Sequence, residues 1–178
     1  MKKIFLVIII SILFTLNIPA FEPMPVNEPG DLKITVFITD SIENIEEWLK
    51  TPYSHSPTIK VINETKYNEI VYAGFMITGF TKDNTSKVNI LVGVQVRAPN
   101  KSVLMEENEW ATINNTVLIE KGIILCDPMM DMIFEEGDQI GNYEISAFAI
   151  DILTGKRTEG SVILKVFQNN TIALYNIK

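Results

Sequence analysis

A single cysteine in 178 residues cannot close a disulfide within the chain, and a single histidine cannot supply a multi-histidine metal site. Positive charge is scarce: 15 Lys and Arg stand against 22 Asp and Glu, a formal charge of −7. Nucleic-acid phosphates demand the opposite balance, so no nucleic-acid partner is expected. Glycine and proline are few, 9 and 8, which excludes collagen and low-complexity linkers. The 47% hydrophobic share excludes a disordered chain. Also missing are a P-loop, a Gly-x-Ser-x-Gly elbow, a His-Glu-x-x-His pair and a dinucleotide fingerprint, so no cofactor is expected. What remains is enough apolar material for one domain of ordinary size, held by its own core.

Long hydrophobic runs are confined to the N-terminus. Met1-Lys2-Lys3 precedes an apolar stretch from Ile4 to Leu16, and Ile18-Pro19-Ala20 is an imperfect A-x-A site with cleavage expected after Ala20. A positive start, a short apolar core and small residues describe a signal peptide over residues 1–20. Thirteen helical residues reach roughly 20 Å, short of the ~30 Å hydrocarbon core. The competing reading is an uncleaved anchor, with the run stretched through Ile18 to Phe21. No Cys stands near the cleavage point, which excludes a lipid-modified terminus. Cleavage removes Lys2 and Lys3, so 13 bases face 22 acids and the mature charge becomes −9. That charge favours solubility and repels anionic lipid surfaces, and no stable membrane insertion is expected once the signal is cut. The expected address is the periplasm or the medium of a bacterium. Asn-x-Ser/Thr sequons such as Asn63-Glu64-Thr65 and Asn84-Thr85-Ser86 are expected by chance in this Asn-rich chain and decide nothing.

Residues 21–31 hold Pro23, Pro25 and Pro29, an extended leader that cannot be helix. Leu32 to Thr39 then alternates apolar and polar, a half-buried strand. Asp40 and Ser41 are capping residues, with Glu43 three past Asp40 completing a capping box. Ile42, Ile45, Trp48 and Leu49 recur at helical spacing, so Ser41–Lys50 is one short amphipathic helix with Trp48 as a structural residue, stopped by Pro52. A loop over 51–57 carries Tyr53 and His55. Beyond it the period is two. Ile70–Phe80 and Val88–Ala98 are strands joined by the turn Lys82-Asp83-Asn84-Thr85, and Ala98-Pro99-Asn100-Lys101 turns the chain into Ser102–Met105. Weaker strands follow at Thr116–Glu120, Ile123–Leu125 and Met129–Phe134. Tyr143–Asp151 and Thr158–Phe167 form a hairpin through Leu153-Thr154-Gly155-Lys156. Short strands, frequent turns, one early helix and no βαβ rhythm predict a mainly β fold: a single antiparallel immunoglobulin-like β-sandwich over residues 32–167, with a tail over 168–178.

Gly137-Asp138-Gln139-Ile140-Gly141-Asn142-Tyr143 leads into the penultimate strand. A Tyr at such a point turns its hydroxyl back onto the preceding loop, a tyrosine corner, which makes Tyr143 structural. The order Val36-Phe37-Ile38-Thr39-Asp40 into a helix bearing Trp48, and the closing run Gly137-Asp138, Gly141, Tyr143, Asp151, Thr154-Gly155, resemble an uncharacterised family of exported bacterial proteins. The resemblance covers most of residues 32–167. It implies one immunoglobulin-like domain behind a signal peptide, and no activity. Some members carry a Gly-Cys after the long central strand; here Thr78-Gly79-Phe80 stands there, so that disulfide is absent.

Few residues suggest chemistry. A nucleophilic Cys126 needs a base such as His55 beside it, and nothing in the sequence brings them together. A buried inert thiol is the plainer reading, with an intermolecular disulfide as the alternative. Asp127, Asp131, Glu135, Glu136 and Asp138 crowd the segment Asp127–Asp138, but their spacing is not that of an EF-hand. A solvated acidic edge is expected, with a loose Ca²⁺ site as the alternative, and no metal is assigned. Glu106-Glu107-Asn108-Glu109 reads as a charged loop, with Trp110 capping the core. Met129, Met130, Met132 and Phe134 either fill the sandwich or form an interaction patch for an envelope protein partner. The tail's Thr171–Tyr175 alternates and is suited to a sheet edge. The leading expectation is a non-enzymatic exported domain with a binding or assembly role at the cell envelope. Its alternatives are an envelope hydrolase using scattered carboxylates and a pilus-type subunit or chaperone acting by strand addition.

Overall fold

A computed structural model describes residues 31–50, 59–114 and 123–168. The signal region, His55, the strand expected at Thr116–Glu120 and the tail from Asn169 lie outside the described residues, as does the side chain of Trp48. The elements are β1 (Lys33–Thr39), α1 (Ile42–Lys50), β2 (Glu64–Lys66), β3 (Ile70–Thr78), β4 (Ile90–Arg97), β5 (Val103–Ile113), β6 (Ile123–Leu125), β7 (Met130–Ile133), β8 (Gly141–Asp151) and β9 (Lys156–Phe167).

They form two sheets. In the first, β1 pairs with β3, and β3 pairs along its other edge with β6 and then β7. The second runs β2-β9-β8-β4-β5. Between them lies the core: Ile34, Val36 and Ile38 of β1, Val71, Phe75 and Ile77 of β3, Ile90 to Val96 at alternate positions of β4, and Ile145 and Leu164 from the closing hairpin. The period of two in the sequence is the reason, because alternate side chains point to one face of a pleated strand. Strands one, two and five of an immunoglobulin sandwich facing seven, six, three and its neighbour is the pattern here, once β6 and β7 are counted as one interrupted strand. Strand order therefore makes the domain immunoglobulin-like and mainly β.

Three local expectations need correction. Residues 106–109 are not a loop: they belong to β5, whose register against β4 slips between Val92 and Val94 and again between Val96 and Arg97. Bulges and a solvent-facing edge break the apolar alternation by which strands are recognised. The sandwich is not wholly antiparallel, because β2 pairs parallel with β9 through Glu64–Lys66; three residues carry too short a period to be seen. The capping box is also different. Asp40 receives the Lys60 ammonium at 2.7 Å, while Glu43 accepts the hydroxyl of Ser41 at 2.8 Å.

Candidate functional site

Cys126 sits where β6 ends and β7 has not begun. Its N–H still donates to the Phe75 carbonyl at 2.9 Å, keeping the interrupted strand on β3. Pro128, with no N–H to offer, follows where the ladder is broken. The side chain is buried, and that burial, aided by the Asp127 charge, pushes the thiol up to about 12. At neutral pH such a thiol is protonated and a poor nucleophile.

The methionine segment divides between two faces. Met130 and Phe134 are buried in the core, Met132 packs against it and Met129 is half-buried. As a group the four are not an exposed patch. Alternation is the cause: Met130 and Met132 share a face, and that face is the inner one. Phe134 packs against Tyr143 with the rings tilted by 56° and their centroids 4.7 Å apart. The Tyr143 hydroxyl donates to the Gln139 carbonyl at 2.8 Å, and Tyr67 donates to the neighbouring Asp138 carbonyl at 2.6 Å. Two tyrosines thus hold the loop between β7 and β8. Trp110, half-buried against the core, donates its indole N–H to the Pro128 carbonyl at 2.8 Å and links β5 to the break between β6 and β7.

The acids of the Asp127–Asp138 segment are exposed, and Asp138 accepts the Glu135 N–H at 2.8 Å. Among the described residues no three of His, Cys, Asp and Glu are gathered closely enough to hold a metal ion. Carboxyls whose titration is displaced are displaced downward: Asp40 by Lys60, Glu43 by the Ser41 hydroxyl, and Asp83 by the Lys87 and Thr85 groups of its own turn. A general acid at neutral pH needs a shift the other way.

What the residues do present is apolar surface outside the core. Ile70 and Ile133 are cross-strand partners on the outer face of the first sheet, 52% and 49% exposed. Tyr72, Met76, Ile123 and Leu125 lie on the same face and are half-buried. This face was missed from sequence because Ile133 stands inside the methionine run, and only its outward phase separates it from Met130 and Met132.

No protein-family model and no curated protein matches the chain. Solved structures do. The CARDB domain of a Pyrococcus furiosus protein, solved in complex with di-metal ions, matches over 77% of this chain and 88% of its own at 10% identity and a TM-score of 0.39. The PKD domain of an M14-like peptidase from a Thermoplasmatales archaeon matches over 58% and 84%, at 13% identity and a TM-score of 0.35. A family 123 glycoside hydrolase from Clostridium perfringens matches over 77% of this chain and 27% of its own, at 10% identity and a TM-score of 0.42. Among the described residues no helix is long and apolar enough to cross a membrane.

Charge is unevenly spread along the sandwich. Lys33, Thr78, Ile90, Asp151 and Lys156 fall at one end by strand register. Among the described residues the bases there are Lys33, Lys82, Lys87, Lys156 and Arg157, against the acids Asp31, Asp83, Asp151 and Glu159. Asp31 is paired with Lys156. At the opposite end Glu69, Asp131, Glu135, Glu136, Asp138 and Glu144 outnumber the bases Lys66, Arg97 and Lys101, of which Lys66 pairs with Glu69 and Lys101 with Glu144.

Proposed function

We propose that this protein is an exported, non-catalytic immunoglobulin-like domain that binds or assembles with a protein partner at the bacterial cell envelope. The observation that carries the reading is the outward apolar pair Ile70 and Ile133 with its half-buried neighbours. Large apolar side chains grouped on a rigid sheet face favour a covering partner. The neutral buried thiol and the exposed carboxylates of the Asp127–Asp138 segment also support it, since hydrolysis by scattered acids requires two that converge. The signal-like N-terminus supports the address. Strand addition draws support from β5, whose outer edge is unpaired among the described residues, but its two bulges and Glu106, Glu107 and Glu109 oppose pairing.

The test is in-situ photo-crosslinking of the full chain in a bacterial host, with the crosslinking residue at position 133 or, on the other sheet, at position 163. The expected result is one reproducible adduct from 133, absent from 163 and lost in Ile70→Asp. Both Ile70 and Ile133 are exposed, so the loss is not one of folding. No adduct at 133, or equal adducts at both positions, overturns the proposed face.

A further inference from the structure

The hairpin between β8 and β9 turns through Ile152-Leu153-Thr154-Gly155. Turns favour Gly, Asn, Asp, Pro and Ser, yet this one begins with two large apolar residues, 49% and 45% exposed. They are not loose. The buried carboxylate of Asp151 accepts the Leu153 N–H at 3.0 Å and the Thr81 N–H at 2.8 Å. The Ile152 N–H donates to the Asn89 carbonyl at 2.8 Å, and the Gly155 N–H returns to the Asp151 carbonyl at 2.7 Å. The tip is tied to the connection between β3 and β4, and these backbone bonds hold Ile152 and Leu153 about half exposed.

Two further observations bear on the same end. At this end of an acidic molecule the described bases outnumber the acids by one, and Lys82 and Lys87 lie within the connection to which the tip is tied. It is also where residue 31 enters: Asp31 pairs with Lys156, the first residue of β9. Residue 31 is the end of the stretch that leads from Lys2-Lys3 and the apolar run Ile4–Leu16.

We infer that this end is a membrane-docking tip, in which Ile152 and Leu153 enter the headgroup region of an anionic bilayer while Lys82 and Lys87 meet its phosphates. Net charge alone predicts repulsion. The charge is polarised, however, and an anionic surface orients such a molecule with its basic end inward, then falls off within a Debye length so that the acidic end is little felt. Apolar tip side chains add burial at the acyl boundary. The tip and the Ile70–Ile133 face are separate surfaces, so a membrane-docked domain leaves its protein-binding face open. The inference borrows only the envelope address from the proposed function.

The test uses the full chain carrying one added cysteine, Thr154→Cys at the tip or Ile140→Cys at the acidic end, labelled with an environment-sensitive fluorophore. Cys126, buried and protonated, does not compete for the label. Vesicles of phosphatidylcholine are compared with vesicles of phosphatidylcholine and phosphatidylglycerol. The expected result is a blue shift at 154, and none at 140, on the anionic vesicles. Lys82→Glu with Lys87→Glu, or high salt, removes it. Each lysine near an anionic surface contributes ~1 kcal/mol, a factor of about 5 in partitioning. Ile152→Ser with Leu153→Ser removes the shift while circular dichroism stays unchanged, because both side chains are exposed. Equal shifts at 154 and 140 mean adsorption through the N-terminal run and overturn the tip. No shift at either position overturns it as well, and a shift at 154 that needs an added protein assigns the tip to that protein. None of these outcomes depends on whether position 133 captures a partner.

Discussion

The two long sides of the sandwich are closed by different means. On one side β1 meets β9, and backbone approaches backbone: a Cβ built on Gly160 would lie 2.5 Å from the Ile34 carbonyl oxygen. Just beyond, β2 adds its three residues to β9 in parallel, and the Lys165 N–H donates to the Asn63 carbonyl at 2.8 Å. On the other side a side chain does the work, as Trp110 reaches from bulged β5 to the Pro128 carbonyl. A side closed by main chain tolerates no added atoms. A side closed by one indole leaves outward positions free, and the apolar pair Ile70–Ile133 stands on the sheet whose edge that indole reaches.

That contrast yields tests of decreasing size. Gly160→Val places a branched side chain against a carbonyl that cannot rotate away. It should lower stability by about 3 kcal/mol in urea melts, the upper end for overpacking. A loss of a few tenths would mean the β1–β9 side is as adaptable as the other. Next, ranked by its effect per pH unit, comes the thiol at the β6–β7 break, which tests how dry the second side is. The unfolded thiol ionises near 9.0 and the folded one only near 12. Stability is therefore whole below pH 9 and should fall by about 1.4 kcal/mol per pH unit between those values. Tyr143, raised mainly by burial, adds to the same alkaline loss. Cys126→Ala should flatten the slope in pH-dependent melts, and an equal slope in both proteins would show the site to be wet. Trp110→Phe keeps the ring and removes the N–H donor, for an expected loss of about 1 kcal/mol. Smallest in stability is the replacement of Glu106, Glu107 and Glu109 by Thr, within about 0.5 kcal/mol for an exposed edge. Its effect should appear instead as concentration-dependent association in sedimentation, since the charges that guard the edge are gone.

Much of the architecture is legible in residues alone. Ile90, Val92, Val94 and Val96 show a core strand because every second side chain must leave water, and the Leu153–Lys156 connection shows a hairpin because Gly155 is free to take its φ of +72°. Tyr143 lies in the sequence beside the loop its hydroxyl holds. β5 is not legible, because its bulges shift the phase and its glutamates mark solvent on an edge. The candidate surfaces are harder still. Ile133 and Met132 are neighbours of similar hydropathy, and Ile152 resembles any core isoleucine. Only pairing tells which of them faces outward.

Local chemistry, then, accounts for the long core strands, the helix and the closing hairpin, since periodicity and turn preference act within a few residues. The partner of each edge, the parallel β2–β9 pair, the burial of Met130 beside the exposure of Ile133, and the tie of the β8–β9 turn to Thr81 and Asn89 are set by contacts between residues far apart in the chain. Burial and charge polarity are properties of a surface, and the surface exists only once the two sheets have closed on one another.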